Sequence, residues 1–327
     1  MTNFQEDLLT WYQKNKRPLL FRQDANAYKI WISEIMAQQT RIEAMLPYFE
    51  RFIQKVPDIP TLATIADEQL NKLWQGLGYY SRARNLKKCA QVCMEKYDGQ
   101  LPKTKAELEQ LPGIGPYTAG AIASIAYHEP VSAIDGNVLR VFSRLYDIHA
   151  DIKKSAGKKQ VSAKVDESLP DGQHISDYNQ ALMELGALVC IPKKPRCEQC
   201  PVRRYCQTDD PSELPVMSKP KPRRVEHKHL YIWVYQNKLR IVKRKEKGLL
   251  YGLYGFDEEK PDRYYKEIPL KPYTHIFSHV EWHMEASLVF VDREDENFHT
   301  LAEIDELYAI PSAFTPFLKQ VQSDFMF

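Results

Sequence analysis

Through the first half of the chain, apolar residues are spaced as they are on one face of a helix, with polar residues between them. Apolar residues recur at every third or fourth position, and short turns containing Pro or Gly separate the segments. The pattern predicts amphipathic helices over residues 6–14, 28–50, 60–75, 80–97, 104–111 and 117–127. An all-α domain follows from this run of helices.

The pattern changes beyond residue 210. Residues 211–228, PSELPVMSKPKPRRVEHK, carry four prolines and a cationic run, which is the composition of an extended linker. After it, runs rich in aromatic and β-branched residues predict strands, and one further helix is predicted over residues 312–322. We therefore predict a multidomain chain, with an all-α domain at 1–210 and an α+β domain at 229–327.

The stretch LPGIGPYTAG predicts a tight hairpin between two helices. Thr104 and Glu107 have the spacing of a capping box at the start of the first helix. Gly113 and Gly115 permit positive φ angles and leave backbone N–H groups uncovered. Uncovered donors at the N-terminus of the following helix suit an anion, and a phosphate group is the candidate.

A carboxylate, Asp135, follows the hairpin and precedes Val138, Val141 and Phe142 at helical spacing. Asp-Gly-Asn is ordinary capping chemistry, so a plain N-cap explains Asp135 taken alone. A glycine hairpin with an acid at this separation, however, resembles the helix-hairpin-helix family of DNA glycosylases. In that family the hairpin holds a DNA phosphate and the acid serves the sugar of an extruded nucleotide.

Glu34 lies in the most apolar part of the segment 28–50, next to Ile32, Ile35 and Met36. A lone Glu on a helix is ordinarily a solvated side chain. A carboxyl held among apolar groups has a raised pKa and can stay protonated near neutral pH, which is what a general acid requires. Glu34 is therefore a candidate catalytic acid.

Composition places the chain among ordinary globular proteins, because 327 residues, 43% of them hydrophobic and 27% charged, are enough for two domains. The N-terminus has no apolar segment after a basic start, so we expect no signal peptide, no membrane span and a cytoplasmic, nucleoid-associated location. The net charge is only +2, but the positive excess lies before residue 226, and we expect that part to bind phosphate. A bacterial origin and a monomeric state are further expectations.

Four cysteines, Cys190, Cys197, Cys200 and Cys206, form a C-x6-C-x2-C-x5-C pattern among basic side chains. Four thiolates this close in sequence can converge on one metal centre, and without a secretion signal disulfides are the weaker explanation. Zinc and an iron–sulfur cluster both accept four thiolates, so the chemistry leaves the choice open. The spacing resembles the 4Fe-4S loop of endonuclease III and its relatives, which implies that cluster as the cofactor.

The turn GLGYYSRAR, residues 76–84, combines flexible backbone, two adjacent tyrosines and two arginines. One interpretation is a glycine turn whose tyrosines pack on a neighbouring element. The other is a DNA-facing loop in which Tyr79 wedges between bases while the arginines contact phosphates. Gln39, shortly after Glu34, is a second candidate for filling an opened duplex.

Taken together, WISEIMAQQT, GLGYYSRARNL, LPGIGPYTAGAI, IDGNV, the cysteine loop and a β-rich C-terminal domain resemble the MutY-type adenine DNA glycosylases of the endonuclease III superfamily. The resemblance implies base-excision repair, by hydrolysis of the N-glycosidic bond of adenine mispaired with 8-oxoguanine or guanine in double-stranded DNA. It assigns to Glu34 the protonation of adenine N7. Asp135 is assigned the stabilisation of the positive charge that develops on the sugar, and Tyr117 assists at the same centre. The resemblance further implies that Asn137 helps to order the site and that Arg22 approaches the adenine.

The resemblance also implies a Nudix-like (MutT-like) fold for the C-terminal domain. Phe277, Ser278 and His279 match the loop that reads 8-oxoguanine, with Ser278 placed to distinguish it from guanine. The sequence has no acidic, metal-binding Nudix signature, so we expect no nucleotide hydrolysis. A plain β-turn is the alternative for these three residues.

Two other functions compete with this interpretation. The first is a thymine-mismatch or endonuclease III-type glycosylase, and the second is a non-catalytic iron–sulfur DNA-binding protein. The presence of both acids argues against the second. Tyr117 argues against strand cleavage, because strand-cleaving relatives carry there a lysine that forms a Schiff base. Leu20-Phe21 and Ala37 depart from the family pattern, which changes the expected shape of the adenine pocket.

Overall fold

The computed structural model describes residues 1–22 and 24–324, and the chain divides into two compact units. Unit 1 comprises Met1–Thr64 and Asn85–Lys219, and unit 2 comprises Ile65–Arg84 and the chain from Pro220 onward. The helices are α1 (Asn3–Asn15), α2 (Ala27–Ala37), α3 (Ile42–Lys55), α4 (Ile59–Thr64), α5 (Asp67–Trp74), α6 (Ser81–Lys96), α7 (Lys105–Leu108), α8 (Pro116–Tyr127), α9 (Gly136–Leu145), α10 (Ser155–Glu167), α11 (Ile175–Leu188), α12 (Leu301–Leu307) and α13 (Thr315–Asp324).

Unit 1 is helical, as predicted, and α11 lies at its centre. This helix packs against α1, α8 and α9, and α2 packs on α8. The interior is filled by buried apolar side chains of these helices, including Leu8, Tyr12, Phe142, Tyr178 and Leu182. Four helices, α2, α8, α9 and α11, therefore bring residues distant in sequence to one place. Across the described residues, no helix combines the length and the apolar character that crossing a membrane requires.

The prediction of one continuous helix over residues 28–50 is wrong, because the chain is broken between α2 and α3. α2 ends at Ala37, and Gln39 adopts a left-handed backbone with φ of 60°. A left-handed residue cannot continue a right-handed helix, so α3 starts afresh at Ile42. The break leaves Gln39 exposed at the end of α2.

Unit 2 is built on a mixed sheet, which confirms the strands predicted after the linker. The strands are β1 (Arg224–Tyr235), β2 (Lys238–Arg240), β3 (Val242–Lys243), β4 (Tyr254–Gly255), β5 (Lys266–Pro269), β6 (Tyr273–Ile276), β7 (Val280–Phe290) and β8 (Phe298–Thr300). Within the described residues the sheet order is β5-β7-β1-β2-β8, with β6 also paired to β7 and a separate β3–β4 ribbon. β1 and β7 run parallel, and β5 and β6 are antiparallel to β7.

The two central strands bury one face of the sheet. Alternate residues of β1 and β7 enter a common core, among them Leu230, Ile232 and Trp282. Phe317 and Val321 of α13 pack into the same core. The period of two in β1 and in the first half of β7 therefore corresponds to one covered face, whereas residues 286–289 of β7 are buried on both faces.

Residues 65–84 belong to unit 2 although they lie within the predicted all-α domain. Lys243 of β3 pairs with Glu68 of α5, with 2.6 Å between Nζ and Oε1. β1 also begins at Arg224, inside the predicted linker, because its pairing with β7 extends back to that residue. The two compact units thus divide the chain differently from the predicted boundaries.

Candidate active site

A cavity of about 720 Å³ lies in unit 1 where α2, α8, α9 and α11 converge. It brings together six residues predicted from the sequence: Arg22, Glu34, Gln39, Tyr117, Asp135 and Asn137. Of the departures from the family pattern, Phe21 and Ala37 line the same cavity, whereas Leu20 is exposed and is not part of the lining. Separate sequence motifs therefore contribute to one site.

Glu34 projects from α2 and is hydrogen-bonded to Tyr117 of α8. The Tyr117 hydroxyl donates to Glu34 Oε2, and Met183 Sδ lies 3.4 Å from the same hydroxyl oxygen. The neighbours Ile35 and Met36 are buried, as the apolar sequence around Glu34 predicts. The carboxyl is therefore held against apolar groups at one edge and faces the cavity at the other.

Asp135 is the N-cap of α9, as its capping sequence predicts, and it also lines the cavity. Its Oδ1 accepts a hydrogen bond from the Val138 N–H at 2.8 Å, and its Oδ2 accepts one from Asn137 Nδ2 at 2.7 Å. Both bonds and the positive end of the helix dipole favour the ionised carboxylate. The cap therefore orients a charged group toward the cavity, and the two interpretations of Asp135 are compatible.

Glu34 and Asp135 differ in the interactions that oppose the effect of burial on their pKa values. Burial raises the pKa of Glu34, the Tyr117 hydrogen bond lowers it, and the neighbouring charge of Asp135 raises it again. Burial also raises the pKa of Asp135, but backbone and side-chain hydrogen bonds from Val138 and Asn137 oppose it. Interacting carboxyls lose their protons in sequence. Asp135 accepts two hydrogen bonds that favour its ionised form, whereas Glu34 accepts one, from Tyr117.

A third carboxylate, Glu184 of α11, lines the cavity and is fully buried, and it was missed in the sequence. It pairs with two arginines, with 2.6 Å between its Oε1 and Arg17 Nε and 2.9 Å between its Oε2 and Arg22 Nη1. Burial favours the neutral acid, but the two guanidinium groups together hold the pKa of Glu184 below its ordinary value. Its position as the one charged residue in the apolar run ALMELGAL is the signal that marks it.

The predicted hairpin is present, and its two glycines have different conformations. Gly113 has φ of 78°, and a Cβ placed there would lie 2.6 Å from Asn85 Cβ. Gly115 has an extended backbone and caps α8. A Cβ at Gly115 would meet open space. The turn therefore requires Gly113, whereas Gly115 leaves the N-terminus of α8 uncovered for an anion.

The cysteine loop is half-buried and held by an arginine. Burial, together with the charges of the other three thiols, raises the pKa of Cys200 to about 11. Cys190 Sγ accepts a hydrogen bond from Arg144 Nη1 at 3.3 Å, and the buried Arg144 also donates to the Ile191 carbonyl at 2.8 Å. Four thiols within electrostatic reach on one braced loop fit the ligand set of a 4Fe-4S cluster. In the described part of the chain, no group of three or more such side chains is arranged to hold a single metal ion.

A chain of hydrogen bonds joins Asp135 to this loop. Asn137 donates to Asp135 and accepts from Arg140 Nη2 at 2.8 Å. Arg140 Nε donates in turn to the backbone carbonyl of Cys190 at 2.8 Å. The amide of Asn137 is thus fixed from both ends, in keeping with the ordering role that the resemblance implies for it.

Unit 2 holds the remaining predicted contacts. Phe277, Ser278 and His279 form the turn between β6 and β7, which is closed by a hydrogen bond from the Phe277 N–H to the Val280 carbonyl at 2.9 Å. Tyr79 is 44% exposed, and its hydroxyl is hydrogen-bonded to the Ser278 hydroxyl. The structure therefore brings Tyr79 and Ser278 together, although they are 199 positions apart in the chain.

Two family models match the chain. The HhH-GPD superfamily base excision DNA repair protein model matches residues 32–170, and the model of the iron-sulfur binding domain of endonuclease III matches residues 190–206. The first span contains Glu34, Tyr117 and Asp135, and the second begins and ends at a cysteine. The cofactor of this chain is accordingly a 4Fe-4S cluster, as predicted.

Sequence relatives decide the family. The adenine DNA glycosylase of Buchnera aphidicola from Schizaphis graminum is 32% identical over 305 residues, which cover 88% of this chain and 87% of that protein. The chain belongs to the adenine DNA glycosylase family. The mouse adenine DNA glycosylase is 43% identical over 216 residues, which cover 63% of this chain and 42% of that protein. The chain thus spans about two fifths of the length of the mammalian members of the adenine DNA glycosylase family that it matches.

Solved structures resemble this member of the adenine DNA glycosylase family over its helical part. A thermostable thymine-DNA glycosylase is 25% identical with a TM-score of 0.55, covering 62% of this chain and 94% of that chain. Endonuclease III in a non-covalent complex with DNA is 22% identical with a TM-score of 0.53, covering 63% and 96%. Unit 1 therefore has the helical glycosylase fold.

Proposed function

We propose that this protein is a monofunctional DNA glycosylase that hydrolyses the N-glycosidic bond of adenine mispaired with 8-oxoguanine or guanine. The observation that carries the proposal is the meeting of Glu34, Tyr117 and Asp135 in one cavity of a chain that belongs to the adenine DNA glycosylase family. A volume of about 720 Å³ is in the range of small-molecule sites and accommodates an extruded nucleotide.

Glu34 is the general acid in this mechanism. Its raised pKa keeps a proton available, and transfer of that proton to adenine N7 turns the base into a neutral leaving group. As the bond between sugar and base breaks, positive charge develops on the sugar. Asp135 stabilises that charge as a carboxylate already oriented by its hydrogen bonds, and Tyr117 assists at the same centre. Water then adds to the sugar carbon.

Arg17, Arg22 and Glu184 orient the adenine. Since Glu184 binds both guanidinium groups, the N–H donors that they do not use for this pairing are held in a fixed direction. Phe21 and Ala37 line the same cavity and set the shape of the pocket. These departures from the family pattern at Phe21 and Ala37 therefore bear on how adenine fits, and they leave the proton transfer unchanged.

The character of the cavity supports hydrolysis without strand cleavage. Among the described residues, its lining contains arginines and no lysine. Tyr117 has no amine that could form a Schiff base with the sugar. The product is therefore an intact strand with an abasic site, which breaks only on treatment with alkali.

The base opposite the adenine is read by unit 2, which we assign a Nudix-like fold. Its mixed sheet with a central parallel pair, covered by α13, supports that assignment. Ser278 and His279 are exposed at the tip of the β6–β7 turn, beside the ring of Phe277, where a hydroxyl group can distinguish 8-oxoguanine from guanine. Tyr79 and Gln39 are exposed and fill the space that an extruded base leaves.

Phosphates of the double-stranded DNA contact two positive features of unit 1. The first is the uncovered N-terminus of α8 behind Gly113 and Gly115. The second is the cysteine loop, which exposes the basic side chains Lys193, Lys194, Arg196 and Arg203. These contacts position the duplex and carry no sequence information.

Single-turnover cleavage tests the proposal. The enzyme in excess is mixed with duplexes containing adenine opposite 8-oxoguanine, adenine opposite guanine, or thymine opposite guanine, and each sample is divided and treated with or without alkali. We expect breaks only in the adenine strand and only after alkali. Release of thymine would favour the thymine-mismatch alternative, and breaks without alkali would contradict the monofunctional mechanism. Binding without any base release would favour the alternative of a non-catalytic iron–sulfur DNA-binding protein.

Tyr117→Phe should move the alkaline limb of the pH–rate profile to higher pH. The Tyr117 hydroxyl favours the carboxylate form of Glu34, so its removal raises the pKa of that group. The reaction needs protonated Glu34, which is lost as pH rises through its pKa, and the variant therefore stays active to higher pH. Tyr127→Phe is the matched control, because its hydroxyl donates to the Leu101 carbonyl at 3.0 Å outside the cavity. An alkaline limb at an unchanged or lower pH contradicts this role.

A further inference from the structure

The loop that presents Tyr79 has a conformation that needs support from outside the loop. We call residues 76–80 the wedge loop. Gly76, Gly78 and Tyr79 have φ angles of 103°, 67° and 47°. The left-handed region is uncommon for a residue with a Cβ, such as Tyr79. Gly78 brings no side chain to pack, and nothing lies within 4 Å of the place where a Cβ would stand.

Arg82, in the first turn of α6, supplies this support. Its Nη2 donates to the carbonyl oxygens of Leu77 at 2.9 Å and of Gly78 at 3.2 Å. The same guanidinium lies 5.4 Å from the ring centroid of Trp74 and 5.7 Å from that of Tyr79. One planar cation therefore joins the backbone of the wedge loop to both aromatic rings.

These contacts revise the expected role of Arg82. In one of the two interpretations of this turn, both of its arginines contact phosphates. The Arg82 side chain is instead directed onto the wedge loop, and burial lowers its pKa to about 10, so it stays charged at neutral pH. Its donors to Leu77 and Gly78 are engaged within unit 2 itself.

We infer that Arg82 is a positioning residue that holds Tyr79 in the conformation in which it enters a mispaired duplex. The inference rests on the proposed function and adds to it a residue that acts without touching the DNA. A loop already held in its binding conformation loses little conformational entropy when it binds. Lysine is not equivalent to Arg82 here, because its ammonium group lacks the rigid planar geometry with which the guanidinium donates to the two carbonyls while it lies near both aromatic rings.

A double-mutant cycle tests this role through duplex affinity. Fluorescence anisotropy is measured for Arg82→Gln, Tyr79→Ala and the double variant with a duplex that contains adenine opposite 8-oxoguanine. We expect Arg82→Gln alone to weaken binding by about 10- to 100-fold. In the Tyr79→Ala background the same change should cost less than about twofold, because Arg82 acts through Tyr79. Arg51→Gln is the matched control, since Arg51 lies 5.0 Å from the Tyr48 ring on α3.

The salt dependence of binding identifies the competing role. If Arg82 contacted a phosphate, its removal would lower the slope of log affinity against log salt concentration by about one. Its effect would also persist in the Tyr79→Ala background. Either result overturns the inference, whereas an unchanged slope with non-additive losses supports it.

Arg82→Lys keeps the test decisive if thermal unfolding shows that Arg82→Gln does not fold. It retains the charge and loses the planar donor group, so we expect the same non-additive loss of affinity. Wild-type affinity in Arg82→Lys overturns the positioning role. Adenine release by the wild type is measured on the same duplex, and its absence overturns the proposed function. Additive losses from the two substitutions overturn only the role of Arg82.

Discussion

Glu34→Gln should slow single-turnover release of adenine by about 10²- to 10⁴-fold and leave duplex affinity close to that of the wild type. Gln has the size of Glu and can still accept the hydrogen bond of Tyr117 through its amide oxygen. It has no acidic proton to give, so adenine must leave without protonation and the barrier rises. Abasic sites are quantified after alkali, and affinity is measured by anisotropy on the same duplex.

Glu50→Gln provides the control for this substitution, because Glu50 is exposed on the neighbouring helix α3. It should release adenine at the wild-type rate. A Glu34→Gln variant that also works at that rate excludes Glu34 as the acid. Equal losses in binding and in release would instead locate the defect in the packing of α2.

Much of unit 1 could be predicted from the sequence, because its signals depend on residues a few positions apart. α8 begins and ends within one residue of its predicted bounds. Thr104 and Asp135 are N-caps, as their short polar side chains before apolar periodic segments predict. The apolar residues around Glu34 likewise predicted its burial and the upward direction of its pKa. Local spacing was sufficient in each case.

The features that escaped prediction depend on contacts between distant residues. The partners of Glu184 lie 167 and 162 positions away, at Arg17 and Arg22, so nothing near Glu184 shows that its charge is compensated. The break at Gln39 is likewise invisible in a periodic pattern that continues from α2 into α3. Residues 65–84 read as part of one helical series, yet they form a compact unit with the C-terminal strands. Periodicity indicates which face of a helix is buried, but it does not indicate which other element that face packs against.

Glu184→Gln should destabilise unit 1 by about 3–5 kcal/mol, because it removes one partner of a buried ion pair and leaves the other charged. Glu184 is fully buried, and both of its oxygens are paired, to Arg17 and to Arg22. Gln keeps the volume and loses the charge that compensates two guanidinium groups. We expect a fall of about 6–20 °C in the thermal unfolding midpoint at neutral pH. Adenine release should also slow, since Arg22 is no longer held in place.

The destabilisation caused by Glu184→Gln should become smaller at low pH. The pKa of Glu184 is lowered in the folded protein, so its stabilisation is complete above the ordinary carboxyl pKa and is lost as pH falls through the lowered value. The difference in unfolding midpoint between wild type and variant should therefore shrink in acid. A difference that stays constant to low pH would show that packing, and not charge, is responsible.

Glu43→Gln separates burial from the mere presence of an ion pair. Glu43 is bound by the same Arg17, with 3.3 Å between Oε1 and Nη1, but its side chain is 75% exposed. Exposed pairs contribute about 0–1 kcal/mol, so this variant should unfold close to the wild-type midpoint. If Glu184→Gln proved as stable as Glu43→Gln, water entering the cavity would have to solvate both arginines. A fixed direction for the Arg22 donors, on which the proposed orientation of adenine depends, would then have no physical basis.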